Sequence, residues 1–152
     1  QGMTATLPVI AYAKEIGATQ EKLLRAVLIS DLITIHQKTG IGRLSAFCGA
    51  TSAGIGAACG IAWLDGGDYE VIAHTIVNGL AILSGMVCDG AKPSCAAKIA
   101  TAVRNGLLGY QMYRQGGIVT KGVENTIANV GRLANRGMRS TDCEILNIMI
   151  GN

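Results

Sequence analysis

Bulky aromatic residues are nearly absent from this chain: its 152 residues include one Phe, one Trp and four Tyr. Large rings are therefore not what fills its interior. Charge is also sparse, at 15% of residues, and the net charge of +3 is mild. With no basic run and no row of aromatics, the chain lacks the electrostatic footprint of a nucleic-acid binder. No segment sustains strand alternation and β-branched runs are short, which argues against a sheet. The N-terminus has no basic start and no cleavage pattern, so it does not read as a secretory signal. Five cysteines is an odd number, and a cytoplasmic chain with reduced thiols suits that better than a disulfide framework. No internal repeat and no low-complexity tail is visible.

What is present is apolar and small. Hydrophobic residues make up 49% of the chain, with 21 glycines and many alanines. That load is high for a small soluble domain and implies a surface partly covered by something else, or contact with a membrane. The length suffices for one compact domain with a core. The pattern predicts an all-α single bundle of about six to seven helices, with Gly/Ala-rich helices packed unusually close.

The first helix is expected over Thr4–Ile16, with Pro8 in its first turn or kinking it, and Gly17 as its C-cap. Thr19 caps a second helix that carries Leu23, Leu24, Val27, Leu28, Leu32 and Ile35 at spacings of three and four and stops at Gly40. A third runs from Phe47 to Leu64 and bears Gly49, Ala53 and Ala57 on one face and Gly56 and Gly60 on another. Asp65-Gly66-Gly67-Asp68 is a turn, followed by a fourth helix over Tyr69–Met86. Cys88 to Ser94 is a loop marked by Gly90 and Pro93. Ser94 is expected to cap a fifth helix over Cys95–Gln115, which Gly116-Gly117 ends. Weaker helices are expected over Glu124–Asn135 and Asp142–Met149, the latter capped by Ser140 or Thr141. The uncharged 19-residue run Ala46–Leu64 is near spanning length, but it is mostly Gly and Ala, and a non-membrane reading is preferred.

Three cysteines stand in turn-prone company: Cys48, Cys88 and Cys95. Cys48 and Cys95 fall at expected helix starts, where exposed amide donors favour a thiolate, and the seven-residue turn from Cys88 to Cys95 can fold both sulfurs toward one point. Three thiolates suit a metal or an iron–sulfur cluster with one position left open. Neither interval is a general metal signature, and cysteine also packs as a small hydrophobe, so spacing alone leaves both readings open. Cys59 and Cys143 lack this context and read as core or surface thiols. The glycine series Gly54, Gly56 and Gly60 lacks the strand and the lysine of a phosphate loop and reads as close helix packing. His36 and His74 read as surface or packed residues, and Arg43 as solvated.

Three runs resemble the L-cysteine desulfidase family, itself similar to the iron–sulfur-dependent L-serine dehydratases. They are Phe47-Cys48-Gly49-Ala50-Thr51, Gly85-Met86-Val87-Cys88-Asp89-Gly90-Ala91-Lys92-Pro93-Ser94-Cys95, and the stretch from Ser30-Asp31 to Gly40-Ile41-Gly42. The resemblance covers essentially the whole chain and implies that residues 1–152 are one cluster-binding domain at the C-terminal end of a longer enzyme. The start at Gln1 rather than Met agrees with a piece of something longer. The resemblance further implies a [4Fe–4S] cluster on Cys48, Cys88 and Cys95 and β-elimination from an amino acid, to pyruvate, ammonia and sulfide from cysteine or with loss of water from serine. Pyridoxal phosphate is not required. The base that removes the α-proton is expected in the N-terminal part of the same enzyme, which is the implied partner, so the isolated chain is expected to be inactive. Homo-oligomers are possible; nucleic acid and membrane are not expected.

Gly2, Thr4 and Thr6 resemble the end of a truncated motif, and Gly2 and Thr4 are candidate substrate contacts. Asp89 and Lys92 are candidates as well, against the plainer reading of a solvated turn. Thr51 and Ser52 either hydrogen-bond cluster sulfurs or, as preferred, cap the third helix. The competing reading is a non-catalytic helical interaction module with structural cysteines.

Overall fold

A central helix, α3 (Gly49–Leu64), is the axis of the molecule: every residue from Gly49 to Ala62 is buried. Four helices surround it, α1 (Gly2–Glu15), α2 (Gln20–Ile41), α4 (Tyr69–Ile82) and α5 (Cys95–Arg114), and α6 (Val123–Arg132) packs on α2 and α4. A π-helical turn, Leu133–Gly137, continues α6 and leads to α7 (Arg139–Ile150). The computed structural model describes residues 1–43, 45–88, 90–119 and 122–151. The all-α expectation holds: among the described residues there is no strand, only an isolated antiparallel bridge between Phe47 and Val87. No helix among them is long and apolar enough to cross a membrane. The uncharged run Ala46–Leu64 is apolar because α3 is enclosed by protein on all sides.

Small residues let α3 be enclosed so tightly. A Cβ built on Gly54 would stand 2.4 Å from the Ala102 carbonyl carbon, and one on Gly106 would stand 2.6 Å from the Gly54 oxygen, so the backbones of α3 and α5 touch at their crossing. On the α2 side a Cβ at Gly56 would meet Thr34 Oγ1 at 2.2 Å. Larger side chains fill the gaps between crossings: Ile55, Cys59, Ile76, Leu80 and Ile127 form one cluster, and Val9, Ala26, Ala57 and Ile61 another.

This close approach decides how α2 is turned. Its buried residues are Ala26, Ser30, Thr34, Gln37 and Ile41, small or polar for the most part. Ser30 donates to the Ala5 carbonyl at 2.8 Å, which ties α1 to α2. The apolar row read in the sequence points the other way: Leu24, Leu28, Leu32 and Ile35 are 55–60% exposed. Leu23 and Val27 are half-buried.

Several boundaries follow the sequence and others correct it. Thr19 Oγ1 accepts from the Lys22 amide at 3.3 Å, and Asp68 Oδ1 accepts from the Val71 amide at 3.1 Å, opening α2 and α4. Gly17 follows α1 with φ +64°. Pro8 lies in the second turn of α1, not the first. The second helix runs past Gly40 to Ile41, and Gly42, at φ +95°, supplies the left-handed conformation that ends it. The fourth helix stops at Ile82, short of Met86: Leu83 leaves the helical conformation at φ −131° and ψ 84°, and the chain beyond it runs out to pair with the segment before α3. Ser94 makes no side-chain cap; turn bonds from the Cys95 and Ala96 amides to the Lys92 and Pro93 carbonyls do that work. The last helix begins at Arg139, which leaves Ser140 and Thr141 inside it.

Candidate functional site

The segment before α3 and the segment after α4 meet in one antiparallel step. The Cys48 amide donates to the Met86 carbonyl at 2.7 Å, and the Cys88 amide donates to the Ala46 carbonyl at 2.6 Å. Phe47 and Val87 face each other between these bonds. In such a ladder Cys48 and Cys88 are diagonal neighbours on one face, with Cα atoms about 7–8 Å apart. Phe47 is buried, and its ring fills the place a Cβ on Gly85 would take, 2.3 Å from that position. Gly85 therefore lets the Cys88 strand lie flat on the Phe47 ring.

The third thiol stands at the start of α5, a helix tied to the bridge by Lys98, whose ammonium donates to the Val87 carbonyl at 2.8 Å. Cys95 is the first residue of α5, and its Sγ accepts from the Lys92 amide at 3.5 Å and reaches the Gly90 carbonyl at 3.7 Å. Gly90, at φ +96°, turns the chain between Cys88 and Cys95. Cys48, Cys88 and Cys95 are all free and half-buried. Cys48 is also the residue before α3, and no side chain caps the amides there. The preferred capping role of Thr51 and Ser52 is corrected: both are inside α3, almost fully buried, and their hydroxyls have no hydrogen-bond partner.

Among the described residues no three His, Cys, Asp or Glu side chains come close enough to hold a single metal ion. Cys48 and Cys88 stand diagonally across the bridge and would be held by a group larger than a single ion. In kind, three accessible thiols with no disulfide partner are the soft donors that iron–sulfur groups take. The remaining cysteines stand apart. Cys59 is fully buried among Ile55, Ile76 and Leu80, and burial pushes its thiol pKa strongly up; Cys143 is exposed on α7. A thiol-alkylating reagent is therefore expected to modify Cys143 at once and Cys59 only after denaturation, read by mass spectrometry of the labelled peptides. Rapid native labelling of Cys59 would contradict this burial.

Other candidates are distributed unevenly. Gly2 is exposed and Thr4 buried at the start of α1. That helix start is brought to the site, because the Gln1 side chain occupies the space above Gly49, beside Cys48. Lys92 is exposed and borders a cavity between Val87 and the α7 residues Ile148 and Met149. Asp89 lies outside the described residues. His36 pairs with Glu124 at 2.9 Å on the surface, and His74 is buried against the Tyr113 ring, 4.6 Å between centroids.

Two residues at the site were not legible as such. Asp142 of α7 accepts the Ala46 amide, pinning the last helix beside Cys88. Together they border an apolar cavity of about 280 Å³. Lys38, on the last turn of α2, lies within electrostatic reach of both Cys48 and Cys88. Burial lowers the pKa of its ammonium, and the two sulfurs partly offset that.

The model of the serine dehydratase alpha chain family matches residues 1–147. The chain belongs to the serine dehydratase alpha chain family. Relatives within reach of this serine dehydratase-like chain include UPF0597 proteins of Desulfitobacterium hafniense, 63% identical, and of Treponema denticola and Finegoldia magna, each 46% identical. Each alignment covers 99% of this chain. The chain spans only 36% to 38% of the length of those relatives. No solved structure matches it.

Proposed function

We propose that this chain is the cluster-binding part of an amino-acid β-eliminating lyase that converts L-cysteine to pyruvate, ammonia and sulfide. The observation that carries the reading is the backbone pairing of the Cys48 and Cys88 segments beside the start of α5, in a chain of the serine dehydratase alpha family. Cys48, Cys88 and Cys95 would hold a [4Fe–4S] cluster. When bound, the cluster supplies a Lewis acid at the iron that three thiolates leave without a protein sulfur.

The residues of the chain prepare that site in three ways. Cys48 stands at the N-terminal end of α3, where no side chain caps the helix amides. Phe47 is buried under the bridge, and Ile145, Leu146 and Met149 give the Cys88 side an apolar wall. The Thr51 and Ser52 hydroxyls have no partner within the protein and are available to donate toward a sulfur. The elimination itself breaks Cα–H and Cβ–S: the base takes the proton, the Cα–H electron pair forms the C=C bond, and the leaving sulfur departs with the Cβ–S pair. The aminoacrylate product tautomerises to an imine that water hydrolyses to pyruvate and ammonia. The base and the remaining pocket are assigned to the further length that the relatives possess. The outward row Leu24, Leu28, Leu32 and Ile35 is the kind of surface such a region covers. A reducing cytoplasm suits five unpaired thiols.

The family's name favours a second substrate, L-serine, with water as the leaving group. A protein of the relatives' length carrying this sequence, prepared without air, separates the two. We expect about four irons with acid-labile sulfide per chain, and pyruvate release with a higher kcat/KM for L-cysteine than for L-serine. A preference for serine would replace the substrate and keep the chemistry. Absence of iron and of acid-labile sulfide would overturn the reading.

A further inference from the structure

A cavity of about 640 Å³ opens at the end of α2, bordered by Gln1, Thr34, Lys38, Thr39, Gly42 and Arg43. Two of these are cations and none is an acid. Among the described residues neither Lys38 nor Arg43 forms an ion pair with a carboxylate. Lys38 is half-buried, and a half-buried ammonium is stabilised by an anion held against it. Arg43 follows Gly42, whose positive φ turns the chain out of α2 and sets the guanidinium on the same cavity. The Gln1 side chain lines this cavity and also lies over Gly49, the first residue of α3, so the cavity and the Cys48 end of α3 adjoin.

We propose that this cavity binds the α-carboxylate of a small amino acid through Lys38 and Arg43. The inference rests on the elimination reading for its choice of ligand, and it names the residues that hold the substrate's non-reacting end. A guanidinium and an ammonium on one wall suit a carboxylate, which accepts several charge-assisted hydrogen bonds at once. Anchoring the carboxylate on Lys38 and Arg43 would leave the rest of the amino acid to extend along the cavity toward Gln1 and the Cys48 end of α3. Lys38 and Arg43 are in this sense substrate-binding residues, and neither is asked to transfer a proton.

The test needs no cluster. The isotope-labelled 152-residue chain is titrated with L-alanine, which has no leaving group, and with propionate, ethylamine and sulfate, while backbone and Lys side-chain resonances are followed by NMR. L-Alanine and propionate are expected to give saturable shifts at Lys38, Thr39 and Gly42, and ethylamine none. Lys38→Met and Arg43→Met should each weaken propionate binding at least about tenfold, with Lys38→Arg retaining most of it. Cys48→Ser should leave it unchanged, which separates this site from the iron reading. Equal binding by Lys38→Met, tighter binding of sulfate than of propionate, or no saturable shift would each overturn the proposal. Loss of iron binding alone would overturn the elimination reading and leave this one standing.

Discussion

Replacing Gly54 by leucine is expected to abolish the cooperative native state, and even Gly54→Ala should lower stability by about 3 kcal/mol. In an exposed helix the alanine change would help, since Ala exceeds Gly in helix propensity by about 1 kcal/mol. Here the new methyl would stand 2.4 Å from the Ala102 carbonyl carbon and 2.5 Å from its oxygen. Those are backbone atoms in the middle of α5, so no rotamer change relieves the contact. The helices must separate, and separation strips Gly106 of its own contact with the Gly54 carbonyl. Total stability of a domain this size is about 5–15 kcal/mol, so leucine, with three more carbons at the same point, exceeds what the fold can absorb. Gly2→Ala is the matched control: nothing lies within 4 Å of its Cβ position, and stability should stay the same or rise. Urea unfolding followed by circular dichroism reads both, and a Gly54→Ala midpoint equal to wild type would contradict backbone contact between α3 and α5 at this crossing. Because α3 begins just after Cys48 and α5 begins at Cys95, the same substitution should also disturb the spacing of those two thiols.

That crossing also explains which parts of the fold were legible in the sequence. Helix starts and stops are local: Thr19 and Asp68 bond amides three residues on, and Gly17 adopts its positive φ whatever packs above it. The facing of α2 is not local. Periodicity places Leu24, Leu28, Leu32 and Ile35 on one stripe correctly, but which stripe turns inward depends on the partner. The partner presents Gly56 and Gly60, against which only residues as small as Ala26, Ser30 and Thr34 fit. The cysteine site divides in the same way. Cys88 and Cys95 share a loop whose Gly90 and Pro93 announce a turn. The pairing of Cys48 with Cys88 is a tertiary fact, made by two hydrogen bonds between distant segments. Lys38 sits a full loop away from the thiols it faces, and Asp142 reaches Ala46 across 96 positions. A single lysine or aspartate carries no mark of such a contact. The fourth helix ends four residues before Met86 for the same reason, since the segment that follows it pairs with distant residues 46–48.

The second large effect is on iron. Cys88→Ser is expected to cut the iron and acid-labile sulfide of an air-free preparation at least about tenfold, with Cys48→Ser and Cys95→Ser doing the same. Serine keeps the shape of the side chain and the backbone bonds that set this segment, from the Cys88 amide to Ala46 and from the Cys48 amide to Met86, so the fold should survive each change. What is lost is the ligand: a hydroxyl stays protonated where a thiol gives up its proton, and its hard oxygen is a poor match for iron in a sulfide cluster. Cys143→Ser, on the exposed face of α7, should leave iron content unaltered. Cys59→Ser should cost about 1–3 kcal/mol of stability, because a hydroxyl would replace a thiol in a fully buried apolar cluster, again without loss of iron per folded chain. This pattern separates a cluster from structural cysteines. If the thiols served only packing, the half-buried three would be the least costly to replace and Cys59 the most, and no variant would differ in metal. Wild-type iron in Cys88→Ser would remove the residue from the ligand set. Loss confined to the three residues around the Phe47–Val87 bridge and the start of α5 is the result that the elimination chemistry requires.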